Sequence, residues 1–468
     1  MSCKIYKTNM GKVAERRRKI IEKNNLTEGS ISKSIWNLAV PIMISVVLQN
    51  AFNIVDMIFV GRLGPEAIAA VAMGGIFFGI IMIALIGISI GTTAMVARAI
   101  GAKDIKEAED VAVQSLFMGI IGSIVFGISG YFLAKPMLIL FGASGEVISL
   151  GESYIKILSL GSITMFLLFL ISAIFRGAGD AFLPMKFLLL STGLNIILDP
   201  LLIFGMFGFP ALGVKGSALA TVTARAAGMI WGLWAIFNGH SIIHLKIRES
   251  KLRLSTMLQM IRTGIFAALQ MAARNISGLI LMRIVAVFGT FAVAAYGIGM
   301  RVLMLVMMPG FAFAQCATTL VGQNLGADRP KRAERSAWLS TGFFGIIAII
   351  FTIIFTIFAK EIIAIFNTHP EVIRIGALYL RFLSFAFIFM ASSIVLGRAF
   401  MGAGDTLSPL IITGISLFGF QIPLAFLLSK NLNMNTNGIW LAIAISNVVQ
   451  GVVMAGWFKK GAWKSIKK

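Results

Sequence analysis

Two aspartates, Asp56 and Asp199, lie inside long apolar stretches of the sequence, where a carboxylate at the middle of a bilayer costs at least about 2.5–3.5 kcal/mol. Gln49, Asn53 and Asp56 are spaced i, i+4 and i+7, so one helical stripe carries all three. Asn195 precedes Asp199 by four positions, which places this pair on one helical face. Carboxylate and amide oxygens suit a small hard cation, or a proton shared between the two carboxyl groups. The pattern predicts a buried cation site; the alternative is that these residues are inert and hold helices together.

Two prolines lie in the same stretches as the acids. Pro200 directly follows Asp199 and cannot donate a backbone hydrogen bond, which leaves the carbonyl of Ile196 as a further oxygen ligand or produces a kink. Pro41 is placed to bend the first apolar stretch in the same way. We therefore expect Pro41, together with Gln49 and Asn53, to belong to the surroundings of the site.

The elements that position these residues are predicted to be membrane-spanning helices. The 468-residue chain is 58% hydrophobic, above the roughly 45–50% typical of soluble proteins. Apolar runs of about 20 residues, long enough to cross a hydrocarbon layer of about 30 Å, recur along the whole chain. We predict twelve spans, at residues 36–60, 66–92, 110–134, 152–175, 182–204, 214–238, 264–288, 291–314, 335–359, 377–400, 407–429 and 437–458.

Positive charge, with a net total of +22, is concentrated in alternate loops. Basic clusters occur in the N-terminal tail, in the 239–262 connector, in the loop around Arg329 and at the C-terminus, while the intervening loops carry scattered charges. This positive-inside pattern predicts a multi-pass protein of the prokaryotic plasma membrane with both termini in the cytoplasm. It accounts for the net charge through membrane topology, so the expected partner is the lipid bilayer and not a nucleic acid. No signal-peptide segment is expected before the first span.

An internal repeat relates the two halves of the sequence. The segment "FRGAGDAFLPM" at 175–185 returns as "FMGAGDTLSPL" at 400–410, which is an offset of 225, and the same offset aligns Tyr154 with Tyr379. Because an even number of spans separates the copies, both have the same orientation, as in parallel-repeat transporters. The predicted fold class is an all-α membrane protein with twelve transmembrane helices in two six-helix pseudo-symmetric lobes. The predicted domains are a cytoplasmic basic tail (1–35), an N-lobe (36–238), a cytoplasmic connector (239–262), a C-lobe (263–458) and a second basic tail (459–468).

The two halves differ at the acidic positions. The offset of 225 places Leu281 opposite Asp56 and Leu424 opposite Asp199. A residue that the fold required would be expected in both copies. The acids are therefore better explained by function than by structure.

At these residues the sequence resembles the multidrug and toxic compound extrusion (MATE) family. The resemblance covers essentially the whole chain and depends on "QNAFNIVDMIFVGRLG" at 49–64, the two "GAGD" loops, "LNIILDP" at 194–200 and "GVKGSALAT" at 213–221. It implies a MATE/MOP-type fold, with twelve helices around a V-shaped cavity, and the export of organic, often cationic, compounds in exchange for Na⁺ or H⁺. It also implies that Asp56, Asn195, Asp199 and Thr221 form the cation site. Because the second half lacks intramembrane acids, the resemblance is nearest to the DinF-like branch.

The second half lacks such acids and instead offers arginines and methionines in its first two spans. Arg274, Arg283 and Arg301 lie in its first two spans, and Met300 and Met304 belong to the run "MRVLMLVMMPGF". Flexible methionines suit an adaptable substrate cavity, although plain packing is the alternative for each. The arginines either pair with carbonyls and loop acids or meet an anionic substrate.

The function predicted is a cation-coupled antiporter, acting as a monomer without a cofactor, that exports amphipathic or cationic small molecules by alternating access. The rival is a flippase of the same superfamily for a lipid-linked anionic headgroup. An intramembrane serine enzyme is suggested only by "GISIG" at 87–91, and we expect Ser89 to be a packing residue because the motif requires a strand-to-helix turn and a basic partner. A passive channel is a further alternative. Cys3 and Cys316 are too few and too far apart to indicate a disulfide framework.

Overall fold

The protein folds as a series of long helices in a computed structural model that describes residues 26–238, 242–245 and 252–465. Three helices begin at a proline, Pro65, Pro330 or Pro370. Proline is tolerated there because an N–H group in the first turn of a helix has no intrahelical acceptor. The helices are α1 (Ile31–Gly61), α2 (Pro65–Gly101), α3 (Ile105–Leu140), α4 (Glu146–Leu160), α5 (Ser162–Gly177), α6 (Phe182–Phe204), α7 (Val214–Phe237), α8 (Leu254–Ala286), α9 (Thr290–Gly326), α10 (Pro330–Ile357), α11 (Ala359–Ala364), α12 (Pro370–Ser384), α13 (Phe387–Gly402), α14 (Leu407–Asn431) and α15 (Asn435–Lys460).

The predicted spans coincide with these helices. Within the described residues, ten helices are long and apolar enough to cross a membrane, and two bent pairs raise the number to twelve if each pair is one span. The bent pairs correspond to the predicted spans 152–175 and 377–400: α4 and α5 meet at 50°, and α12 and α13 at 57°. The all-α membrane fold is confirmed, and these two spans are broken rather than continuous.

The break between α4 and α5 lies at Gly161, where the backbone approaches α7 too closely for any larger residue. A Cβ atom at Gly161 would stand 2.3 Å from a methyl group of Val222. Apolar periodicity does not report such a break, because both sides of the bend remain hydrophobic.

Helix ends reproduce the sequence repeat. α2 and α9 end at Gly101 and Gly326, and α5 and α13 end at Gly177 and Gly402, so both pairs keep the offset of 225. The chain divides into two compact units, which we call the N-terminal unit (26–28 and Val40–Gly264) and the C-terminal unit (Gly29–Ala39 and residues 265–465).

Equivalent hydrogen bonds occur inside each unit. Thr93 Oγ1 donates to the carbonyl of Ala173 at 3.2 Å, and Thr318 Oγ1 donates to the carbonyl of Arg398 at 3.1 Å. Both donors and both acceptors are 225 positions apart. The contact between α2 and α5 is therefore repeated between α9 and α13.

The repeat loses its register in α14. This helix contains two π-helical segments, Ile415–Gln421 and Leu427–Asn431, whereas α6 contains none. A π-bulge inserts a residue, so the offset changes along α14. Gly216 packs against Leu202 and Gly438 packs against Leu428, and the two leucines are 226 positions apart. Either register places an apolar residue opposite Asp199, Leu424 by the first and Ala425 by the second.

The tight α6–α7 hairpin positions the acidic half of the site. The amide of Leu212 donates to the carbonyl of Leu202 at 3.0 Å, and that of Gly213 donates to the carbonyl of Ile203 at 3.1 Å. Gly216 permits the close approach, since its Cβ would lie 2.3 Å from the carbonyl oxygen of Leu202. The start of α7 is thereby held beside the end of α6, close to Asp199.

Three sequence expectations concern the cysteines, the basic tail and Ser89. Cys3 and most of the basic tail lie outside the described residues. Cys316 is a buried free thiol in α9 and donates a weak hydrogen bond to the carbonyl of Ile35 at 3.8 Å. Ser89 lies in the middle of α2, 4% exposed, and receives a hydrogen bond from Arg176 at 3.5 Å, so no strand-to-helix turn surrounds it.

Candidate cation site in the N-terminal unit

Asp56 lies on α1 with its side chain turned into the N-terminal unit. It is 8% exposed, although its neighbours Met57 and Ile58 are exposed. Ser217 Oγ, on α7, donates a hydrogen bond to Asp56 Oδ1 at 2.5 Å. The carboxylate is therefore held by a residue 161 positions away, one helical turn before Thr221 on α7.

Asn195 and Asp199 form the second part of the site, on α6. Both side chains are completely buried, and Asn195 Nδ2 donates to Asp199 Oδ1 at 3.1 Å. Asp199 Oδ2 and Asn195 Oδ1 are buried without any hydrogen-bond partner in the described part of the chain. Buried acceptors of this kind are costly unless something donates to them or coordinates them. Two such oxygens on adjacent side chains fit a metal cation or a proton.

The stripe on α1 opens onto a cavity of about 580 Å³ within the N-terminal unit. Gln49, Asn53 and Asp56 line it from α1, and Thr221 lines it from α7. Asn195 and Asp199 do not line it, although Asp56 and Asp199 lie close enough to interact electrostatically. The site is thus divided between a cavity wall, which holds Asp56 and Thr221, and a buried compartment behind it.

Pro41 is buried inside α1, one turn before the cavity wall. Its carbonyl accepts a hydrogen bond from Ser45 Oγ at 2.8 Å, and Ser45 is a lining residue. Pro41 therefore reaches the cavity only through Ser45. Its role in bending α1 stays a prediction.

Arg225 is a cavity residue that the sequence analysis missed. Its guanidinium lies 5.5 Å from the ring centroid of Phe52, in cation–π contact, and it interacts electrostatically with Asp56. No N···O distance within 4 Å joins it to a carboxylate in the described ranges, so it is a near neighbour of Asp56 and not its salt-bridge partner. The spacing of Ser217, Thr221 and Arg225 at i, i+4 and i+8 on α7 was the available signal.

Tyr154 completes the polar surroundings of Asp56. It is 7% exposed, it lines the cavity from α4, and it interacts electrostatically with Asp56, Asp199 and Arg225. The offset of 225 pairs it with Tyr379, which is also buried. A tyrosine here is common to both repeats, whereas the acids are confined to the first.

The remaining candidates lie in the C-terminal unit and do not line this cavity. Met300 and Met304 are 38% and 61% exposed on α9, and the Tyr379 hydroxyl donates to the Met300 sulfur at 3.7 Å. Arg283 on α8 and Arg301 on α9 are exposed. Their part in a substrate cavity stays a prediction.

Comparison with known proteins shows which sequences and structures this chain resembles. The MatE family profile matches residues 41–201 and 267–427, one segment in each half of the chain. The probable multidrug resistance protein NorM of Thermotoga maritima is 30% identical over 441 residues, which cover 93% of each protein. An outward-facing MATE multidrug resistance transporter of the MOP superfamily superposes with a TM-score of 0.86 at 26% identity, covering 94% of this chain and 98% of that one. The FAD transporter of Shewanella oneidensis is 25% identical, covering 92% of this chain and 95% of that protein.

Proposed function

Since the chain belongs to the MatE family of multidrug efflux transporters, we propose that it exports a small organic compound in exchange for Na⁺ or H⁺ bound at Asp56 and Asp199. The observation that carries this proposal is the pair of unsatisfied acceptors, Asp199 Oδ2 and Asn195 Oδ1, buried beside a second aspartate. A cation or proton that occupies this compartment supplies the missing partner. Because it must also leave during the cycle, the same site serves as the coupling site.

Thr221 and Ser217 provide hydroxyl oxygens on the cavity side of this compartment. Ser217 already donates to Asp56 and can rotate its hydrogen away when Asp56 receives a cation. Thr221 is 3% exposed and lines the cavity one helical turn further along α7. A hard cation would draw its ligands from carboxylate, amide and hydroxyl oxygens, which suits Na⁺, and the carboxylates alone suit H⁺.

In this proposal, Arg225 competes with the coupling ion for the carboxylate of Asp56. Its positive charge stabilises Asp56 when the ion has left and repels the ion when it returns. The cation–π contact with Phe52 gives the guanidinium a second stabilising interaction, apart from Asp56. The states with and without the ion therefore have different electrostatic environments in the cavity, and antiport requires that ion and substrate prefer different states.

The membrane potential supplies part of the driving force. One positive charge that moves inward gains roughly 2.3 kcal/mol per 100 mV. We place both termini in the cytoplasm of a bacterial cell, on the evidence of the positive-inside pattern, so the ion enters from the opposite side. Transport proceeds by alternating access in a monomer and needs no cofactor.

The transported compound is a small molecule of amphipathic character. A cavity of about 580 Å³ is within the range of drug-sized ligands, and its walls combine apolar side chains such as Phe78, Phe169 and Met82 with polar and charged ones. The second candidate is a flippase for an anionic lipid headgroup. Arginines in the membrane helices of the C-terminal unit favour an anionic cargo, and one relative is named as a transporter of FAD, a phosphate-bearing compound.

The decisive experiment is transport in proteoliposomes under separate Na⁺ and pH gradients. Ethidium and flavin mononucleotide (FMN) serve as reporters of cationic and anionic cargo. We expect one gradient to drive uptake by the wild type and neither to drive it in Asp199→Asn. Asp328→Asn is the matched control, because Asp328 is an exposed loop residue at φ 56°, a conformation that asparagine accepts. Gradient-driven transport by Asp199→Asn at the wild-type rate would refute the proposal.

A further inference from the structure

We propose that Arg274 and Arg398, in the C-terminal unit, bind an anionic oxygen group, a phosphate or a carboxylate, on the transported compound. This inference rests on the proposed export function and names the substrate class. It depends on four observations: the direction in which Arg274 points, the proximity of the two arginines, the lack of carboxylates around them, and the comparison with the N-terminal unit.

Arg274 belongs to a polar stripe that faces α14. Gln270, Arg274 and Ser277 are spaced i, i+4 and i+7 on α8. Gln270 Nε2 donates to the carbonyl of Pro409 at 3.1 Å and to Thr413 Oγ1 at 2.8 Å. Ser277 Oγ donates to Gln421 Oε1 at 3.4 Å, also on α14. Because the residues on both sides of Arg274 are bonded to the same helix, Arg274 lies on the face of α8 that looks into the C-terminal unit.

Arg398, on α13, shares these surroundings. A Cβ atom at Gly397, the residue before Arg398, would lie 4.0 Å from Pro409, whose carbonyl accepts the hydrogen bond from Gln270, and the charges of Arg398 and Arg274 interact electrostatically. Neither arginine has a carboxylate within 4 Å in the described part of the chain. Two like charges in membrane helices are unfavourable unless an opposite charge joins them.

No acid of this unit is available to supply that charge from nearby helices. The helices α8, α9, α13, α14 and α15 contain no Asp or Glu. Two of the remaining acids are already paired: Glu334 with Lys464 at 2.6 Å and Glu371 with Arg374 at 2.7 Å. Asp405 accepts from Ser408 at 2.6 Å. The compensating anion in this proposal therefore comes from outside the chain.

The N-terminal unit shows what these positions do in the other repeat. The offset of 225 pairs Arg274 with Gln49, which lines the N-terminal cavity, and Arg398 with Ala173. The pairing of Arg398 with Ala173 is supported by equivalent hydrogen bonds, because a threonine donates to the backbone carbonyl of each residue. The same framework thus carries uncharged side chains at these two positions in the N-terminal unit and arginines in the C-terminal unit. A cation and an anion can then bind to the same chain without competing for the same groups.

The chemistry of the two side chains selects the ligand. The planar guanidinium forms two parallel hydrogen bonds with phosphate or carboxylate oxygens, and two guanidinium groups suit a group with more than one negative charge. An organic cation would meet repulsion here. The expected cargo is an amphipathic organic anion with a phosphate or carboxylate at one end.

FMN and riboflavin, which differ only by the phosphate, test this inference by fluorescence titration of the purified protein. We expect FMN to bind the wild type about tenfold or more tightly than riboflavin. Arg274→Gln and Arg398→Gln should each remove this preference, and Arg274→Lys should keep part of it. Arg262→Gln, an exposed arginine near the start of the same helix, is the matched control. Equal affinity for FMN and riboflavin, or an unchanged preference in both glutamine variants, would overturn the inference.

A second arm distinguishes a soluble cargo from a lipid headgroup. In proteoliposomes, fluorescent phosphatidylglycerol reports headgroup transfer and FMN reports soluble transport. Loss of FMN transport alone in Arg274→Gln identifies a soluble anion, and loss of lipid transfer identifies a headgroup. If both continue at the wild-type rate, the arginines do not bind the transported group. The coupling proposal is tested separately. If it fails, the Asp199→Asn variant still shows gradient-driven transport, whatever the result for the Arg274 variants.

Discussion

The N-terminal and C-terminal units share a helical framework and differ in their chemistry. Matched helix ends and matched threonine hydrogen bonds show that the contact between α2 and α5 recurs between α9 and α13. Asp56 nevertheless corresponds to buried Leu281, and Gln49 to Arg274. Because one copy of the framework is built without the acids and the other without the arginines, neither set is required for folding. The comparison separates what the fold needs from what transport needs.

Neutralising Asp56 is the strongest way to test that separation. Asp56→Asn keeps the size of the side chain and can still receive the hydrogen bond from Ser217, so we expect a folded protein. It should lose gradient-driven transport by about 100-fold or more, since no ion can be exchanged at a neutral site. Initial uptake rates at matched protein amounts measure the loss. Full transport by this variant would show that the acids of the N-terminal unit are structural.

Packing glycines shared by both units should behave alike. A Cβ atom at Gly216 would lie 2.3 Å from the carbonyl oxygen of Leu202, and one at Gly438 would lie 2.6 Å from the carbonyl carbon of Leu428. We expect Gly216→Ala and Gly438→Ala each to lower the free energy of unfolding by about 1–3 kcal/mol, as over-packing does. Thermal unfolding in detergent checks this, with Gly278→Ala, which meets nothing within 4 Å, as the control. A large effect in only one unit would contradict the shared framework.

Removing the charge of Arg225 should strengthen ion binding. In Arg225→Gln the coupling ion no longer meets a nearby positive charge, and at an effective dielectric constant near 20 such a charge contributes on the order of 1–2 kcal/mol. The concentration of Na⁺ or H⁺ that gives half-maximal transport should fall by roughly tenfold. Ion-dependent transport rates measure it. An unchanged or higher half-maximal concentration would remove Arg225 from the coupling site.

The smallest effect is expected at Met304. Its side chain is 61% exposed, so Met304→Ala should change the free energy of unfolding by no more than about 0.5 kcal/mol. If Met304 belongs to the substrate cavity, the relative rates for FMN and ethidium should still change. Transport of both reporters at wild-type rates would assign Met304 to the lipid-facing or packing surface of α9.

The sequence was sufficient for the elements and for the burial of the two aspartates. Local periodicity showed the twelve apolar stretches and the i, i+4 spacing of Asn195 and Asp199. The internal repeat showed the offset of 225. The membership of the MatE family was predicted correctly from short motifs. The DinF-like branch, the choice between Na⁺ and H⁺ and the orientation of the termini stay predictions.

What could not be predicted depends on contacts between distant parts of the chain. Ser217 reaches Asp56 across 161 positions, and no pattern near either residue indicates the pair. Arg225 lies on the same stripe of α7 as Thr221, but a stripe gives no distance to another helix. The sequence stays hydrophobic through the break at Gly161 and through the π-helical segments of α14. Hydrophobic periodicity therefore does not reveal either feature.

Infrared difference spectroscopy of the purified protein tests the central claim most directly, because it needs no substrate. The carboxyl bands are recorded while either Na⁺ concentration or pH is varied in wild type, Asp56→Asn, Asp199→Asn and the control Asp328→Asn. We predict an ion-dependent carboxyl signal in the wild type and the control, lost or strongly altered in the other two variants. An identical signal in all four proteins would show that the ion binds elsewhere.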